Sequence, residues 1–149
     1  MDSTRMHQEA LRRAVDAFWE AVFPLWHRVR AHIRQIASER YGITVEQFHI
    51  LRHIRRGEGS VSELARAKRV SRAAISQAVD ALVSRGLIAR TPNPEDRRNI
   101  HLALTPEGES LLERIFEETR GWMMELLAPL NEEELRTLLE AMRALRRLF

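Results

Sequence analysis

Apolar residues recur at alternating steps of four and three through Leu11, Val15, Phe18, Val22, Leu25, Val29 and Ile36, with His32 in the one gap. That spacing lays one stripe along a helix. It predicts a first helix from about Arg5 to about Arg40, ended by Tyr41 and Gly42. Pro24 lies inside it, and a kink is expected there because proline removes a backbone donor and crowds the preceding turn. A stripe of this length exceeds what a small domain covers, so the helix calls for a partner surface. The last apolar series, Leu135, Leu138, Leu139, Met142, Leu145 and Leu148, makes the same demand on a final helix capped by Asn131 with Glu134 three residues on.

Between these ends the pattern breaks into short units. Thr44 and Gln47 form a capping box before a helix that turns Val45, Phe48, Leu51 and Ile54 inward and stops at Gly57. Ser60 or Ser62 opens a helix holding Val61, Leu64 and Ala65. After a break at Arg69 and Val70, Ser71 caps a longer helix to about Arg85. Its inward residues are Ile75, Ala78 or Val79, and Leu82, and Gly86 is its stop. Residues 87–91 and 100–104 read as two strands of a hairpin around a polar loop stiffened by Pro92 and Pro94. Thr105 then precedes a helix with Pro106 at its first position, closed near Pro129. The expected fold is mainly α with a small β-hairpin wing: a winged helix-turn-helix plus a helical dimerisation region.

Composition narrows the class. A chain of 149 residues has the length of one domain. The absence of cysteine excludes disulfides, thiolate metal sites and thiol redox chemistry. Arg12 and Arg13 interrupt the stretch where a signal-peptide core would lie, and no apolar run nears the roughly 20 residues that span a bilayer, so a cytoplasmic protein with no membrane partner is expected. Charge is unevenly spread. Residues 50–104 hold 11 basic against 5 acidic residues, a balance of +6, whereas residues 105–149 hold 6 against 10, a balance of −4. A basic middle points to a polyanion. No nucleophile elbow, P-loop or dinucleotide fingerprint is present, which argues against an enzyme and a cofactor. His49 and His53 stand four apart, a spacing that holds metals, but without supporting ligands they read as exposed or interface histidines.

The helices at 61–68 and 71–85 have helix-turn-helix spacing, in which the second helix enters the major groove. With Ile75, Val79 and Leu82 inward, the other face presents Arg72, Ala73, Ser76, Gln77 and Asp80. Arginine pairs bidentately with guanine, glutamine with adenine, and alanine touches a thymine methyl. Small residues at 73 and 76 let the helix sink into the groove. Ser62, Arg66, Lys68, Arg69 and Ser71 suit phosphates. On the wing, Arg90, Arg97 and Arg98 are expected on the backbone and the minor groove, with Asp96 bracing an arginine.

The run from Ser71 to Arg90 (SRAAISQAVDALVSRGLIAR), then Asp96, Arg97 and Arg98, then Leu102 to Gly108 (LALTPEG), closely resembles the MarR family of regulators, whose order of elements matches across essentially the whole chain. The resemblance implies a single domain over 1–149. Within it, 1–40 and 106–149 form a helical dimerisation region and 44–105 the winged helix-turn-helix. It also implies a triangular homodimer on a pseudo-palindromic operator in double-stranded DNA, and repression relieved by a small, often aromatic or phenolic, inducer. Many relatives carry a basic residue where this chain has Gln77 or Ala81, so its base preference is its own. The inducer site implied lies between the dimerisation helices and the winged domain, with Trp19, Trp26, His27, Arg30, Tyr41, Trp122 and Met123 as candidates. The competing reading of the tryptophans is that they pack the dimer core. The competing function is a winged-helix module that binds another protein; arginines on both helix and wing argue against it.

Overall fold

A computed structural model describes residues 2–93, 95 and 100–148. Six helices and one hairpin follow in the order α1 (Asp2–Tyr41), α2 (Val45–Arg55), α3 (Val61–Lys68), α4 (Arg72–Ser84), β1 (Ile88–Pro92), β2 (Ile100–Leu104), α5 (Pro106–Leu127) and α6 (Glu132–Arg146). Helix α1 continues through Pro24 without interruption. Each short helix starts where a side chain satisfies a free backbone donor. Thr44, Ser60 and Asn131 all form reciprocal capping boxes, with Gln47, Glu63 and Glu134 respectively. Of the two serines that could open α3, Ser60 does so, which leaves Ser62 inside the first turn.

The core is built around α2. Phe48, Leu51, Leu64, Val79, Leu82, Leu112 and Ile115 are fully buried, and Val29, Ile33, Ile36 and Ala37 close it from the second half of α1. Val79, not Ala78, is the inward residue of α4. The two terminal stripes remain uncovered within one chain. Leu11, Val15, Phe18, Trp19, Phe23 and Trp26 on α1 and Leu135, Leu139, Met142 and Leu148 at the C-terminal end are exposed, and α6 has no buried residue.

Strands β1 and β2 pair antiparallel from Ile88 opposite Leu104 to Pro92 opposite Ile100. The first strand begins one residue later than its sequence suggests because Leu87 belongs to the end of α4. Gly86, at φ +71°, takes the left-handed turn, its N–H bonds Val83, and the Leu87 N–H bonds the Leu82 carbonyl. Thr105 then knots α5 to this turn. Its hydroxyl accepts from the Gly108 N–H at 3.0 Å and donates to the Gly86 carbonyl at 2.5 Å, and its own N–H reaches the Leu87 carbonyl at 3.2 Å. On the other side of the hairpin, the Leu102 N–H donates to the Gly59 carbonyl at 2.6 Å, tying the wing to the loop before α3.

Candidate nucleic-acid interface

Helices α3 and α4 meet at a tight turn. Arg69 sits in the left-handed region at φ 53°, a conformation that costs an ordinary residue about 1 kcal/mol or more. The chain passes from α3 into α4 within three residues, and Ser71 caps α4 by accepting from the Ala74 N–H at 3.1 Å. Beyond that cap, Arg72, Ala73 and Gln77 are exposed and Ser76 is half-buried, while Ile75, Val79 and Leu82 face the core. One face of α4 therefore carries a guanidinium, an amide and two small residues, and its positive end is open toward an anion. Arg66 and Arg69 are exposed beside it and Ser62 is half-buried. Arg66, Ser60, Ser62 and His101 also line a hollow of about 340 Å³ between α3 and the wing. The turn adds Val70, an exposed apolar side chain at 44 % that the sequence pattern did not single out.

Two basic residues are placed differently from the rest. Lys68 is only 12 % exposed at its side chain, and its ammonium bonds Glu46 of α2 at 2.8 Å. It braces α3 against α2 rather than joining the exposed arginines. Arg90 donates to Asp80, so the acidic residue on the outer face of α4 is tied to the wing strand. Arg97, Arg98 and Asp96 at the wing tip lie outside the described residues. A third basic residue, Arg85 at the end of α4, donates to the carbonyls of Tyr41 and Gly42 at 2.7 and 2.8 Å, fixing the end of α1 to the end of α4.

The candidate ligand residues do not gather in one place within the chain. Trp19, Trp26 and His27 are exposed around the middle of α1, where Phe23 links Trp19 at 5.2 Å to His27 at 4.8 Å. Tyr41 lies 22 residues beyond Trp19 on the same helix, roughly 33 Å away at 1.5 Å per residue. Its hydroxyl donates to Glu118 at 2.5 Å, a bond that holds the phenol above its ordinary pKa. Trp122 is half-buried and stacked on His32, and Arg30 and Met123 are half-buried elsewhere. His53 bonds Glu58, and among the described residues no group of three or more potential ligands is poised for a metal.

Burial holds the imidazoles of His32 and His49 below their usual pKa, helped at His49 by Lys68 and Arg52 and at His32 by Arg40, against the opposing carboxylate of Glu118. The unfolded chain therefore takes up these protons first. Stability from the two neutral rings is complete above about pH 6.5 and declines as pH falls below it. Glu46, held low chiefly by its bond to Lys68, adds a second loss below its ordinary value of 4.5. Thermal unfolding followed by circular dichroism should show the midpoint dropping on acidification, with a shallower slope in His49→Gln. Parallel slopes for the two proteins would rule out His49 as a contributor.

A two-helix unit with an exposed, capped second helix, followed by a two-stranded hairpin, defines a winged helix-turn-helix protein. A sequence profile described as the MarR family matches residues 41–99, from the end of α1 to the wing. The chain is 37% identical over 100 residues to the HTH-type transcriptional repressor MdtR of Bacillus subtilis, a match covering 66% of this chain and 64% of that protein, so slightly less than two thirds of its length. It is 34% identical over 98 residues to the multiple antibiotic resistance protein MarR of Salmonella typhimurium, covering 64% of this chain and 68% of that protein. Among solved structures, the transcriptional regulator Tm0710 from Thermotoga maritima superposes with a TM-score of 0.77 at 26% identity, over 89% of this chain and 94% of that one. The chain belongs to the MarR family of winged helix-turn-helix transcriptional regulators. Members are regulators and not enzymes; they bind DNA and typically act as dimers. No helix among the described residues is long and apolar enough to cross a membrane.

Proposed function

We propose that the protein is a homodimeric, sequence-reading repressor that sets α4 into the major groove of a pseudo-palindromic operator and is released by a small molecule. The observation that supports this most is the outer face of α4, where Arg72, Ala73 and Gln77 stand free beyond the Ser71 cap beside a half-buried Ser76. Arg72 and Gln77 read base edges; Ser62, Arg66, Arg69 and the N-terminus of α4 hold phosphates. Arg97 and Arg98 supply the wing contact. Arg90 serves it indirectly, through Asp80, by keeping the wing at a fixed angle to α4. The dimerisation region at 1–40 and 106–149 closes through the exposed stripes of α1 and α6. An obligate interface of this kind buries more than about 2,000 Å². The two recognition helices then lie about one helical turn of DNA apart, roughly 34 Å.

The test is fluorescence anisotropy on the upstream DNA of the protein's own gene and on a scrambled duplex at two salt concentrations. Specific binding should run about 10³-fold or more tighter than the scrambled control and weaken steeply with salt. Arg72→Ala should lose about 10- to 100-fold in operator affinity, the worth of one bidentate base contact, with thermal stability unchanged. Equal affinity for both duplexes under all conditions, with Arg72→Ala indistinguishable from wild type, would favour the protein-binding module instead.

A further inference from the structure

Helices α1 and α5 flank an open cavity of about 460 Å³ on the side lined by His32, Glu39, Arg40, Glu118, Trp122 and Glu125. Its charge is one-sided. Three carboxylates face a single guanidinium, and that guanidinium is already bonded to Glu118 at 2.7 Å. Glu39 receives only the Gln35 amide at 3.2 Å, and Glu125 has no side-chain partner among the described residues. The aromatic wall is a parallel stack of Trp122 on His32, with ring centres 4.3 Å apart and planes 13° from parallel. The Nε2 atom of His32 is shut off from solvent and bonds nothing. Burial lowers the pKa of that ring and favours its neutral form, which leaves the orphan Nε2 open to a ligand as acceptor or donor according to its tautomer. Three carboxylates against one guanidinium leave acceptors in excess of donors here, next to a flat π surface.

We propose that this cavity binds a flat aromatic cation bearing N–H donors, an aryl amidine or arylalkylammonium. The donors engage the carboxylates of Glu39, Glu118 and Glu125, and the cation lies against the tryptophan, where ring quadrupole and carboxylates act in the same sense. A phenolate or aromatic carboxylate of the same size meets three like charges instead. The site is also placed to be felt at α4. Glu118 holds the Tyr41 hydroxyl, and the Tyr41 and Gly42 carbonyls hold Arg85 at the end of α4. A cation that draws on Glu118 loosens its grip on Tyr41 and shifts the support of α4. This second step rests on the repressor reading; binding itself does not.

Benzamidine is the probe, with salicylate as its anionic counterpart, titrated calorimetrically into the full chain without DNA. Benzamidine should bind once per chain, with salicylate neither binding at that site nor displacing it. The Glu39→Gln, Glu125→Gln double variant, which leaves the Tyr41–Glu118 bond in place, should weaken binding about tenfold or more with the unfolding midpoint unchanged. Fluorescence quenching should survive in a Trp19→Phe, Trp26→Phe protein and vanish in Trp122→Phe. No benzamidine binding, undiminished binding by the double variant, or displacement by salicylate would each overturn the cation site. Anisotropy then tests the coupling, with loss of operator affinity at saturating benzamidine expected. Unchanged operator affinity with the cation bound overturns the link to α4 while leaving the site standing. A protein that binds benzamidine yet no operator counts against the repressor reading alone.

Discussion

Gly108→Ala is expected to lose about 3 kcal/mol or more of stability, a steric penalty at the upper end of overpacking. An added Cβ at this position would stand 2.1 Å from the Leu87 carbonyl oxygen and 3.1 Å from its carbon. Both atoms are backbone, and neither is free to retreat. The Leu87 carbonyl receives the Thr105 N–H, and the Leu87 N–H closes the end of α4. Relieving the clash therefore means lifting the first turn of α5 away from the junction of α4 and β1. Gly121→Ala is the control, because it is also inside α5 and its Cβ meets nothing within 4 Å. It should gain about 0.5–1 kcal/mol from helix propensity alone. Since both substitutions carry the same propensity gain, their difference isolates the clash. Urea denaturation at several protein concentrations measures both and exposes any coupling to association. Equal stability of the two variants would mean that α5 is not seated on Leu87.

The same junction shows what a sequence conveys and what it withholds. Caps and stops are local, so Thr44 with Gln47, Asn131 with Glu134, Ser71 and Gly86 were all legible, and every helix lies close to where periodicity put it. The strand start was off by one because two patterns compete for Leu87, and helix termination takes it. Long-range partners left no such trace. Lys68 reads as a phosphate ligand in a basic run, but Glu46 lies 22 residues back on another helix and captures it. Arg90 and Asp80 look like independent charges until the hairpin folds over α4. Arg85 escaped notice because its partners are carbonyls of Tyr41 and Gly42, atoms that no residue type advertises. The aromatic candidates for a ligand site share a composition but not a location, since a continuous helix α1 holds Trp19 and Tyr41 apart.

These contacts give the winged unit a particular mechanical character. Helix α4 is held at both ends, by the αL turn at Arg69 before it and by Arg85 on α1 after it, and its middle is buried through Val79 and Leu82. Its outer face is consequently presented without depending on either residue proposed to read a base, Arg72 or Gln77. Stability and recognition should therefore separate cleanly by variant.

Phe48→Ala is the counterpart to Arg72→Ala in that separation, and it should cost about 3–5 kcal/mol. Phe48 is fully buried on α2, meets Phe116 of α5 edge-on with ring centres 5.7 Å apart, and carries the Arg52 guanidinium 6.0 Å above its ring. Removing the ring opens a void between α2 and α5 and also strips Arg52 of part of the π surface that compensates its partial burial. Against a typical total of about 5–15 kcal/mol, that is about a fifth of the fold's stability or more. Phe48→Leu refills most of the volume and should cost only about 1 kcal/mol. Chemical denaturation ranks the three proteins, and anisotropy on the operator completes the comparison. Phe48→Ala should lose binding in proportion to the fraction unfolded and regain it under stabilising osmolyte, whereas Arg72→Ala should stay folded and not regain it. A Phe48→Ala protein as stable as wild type would show that α2 and α5 do not share the core described for them.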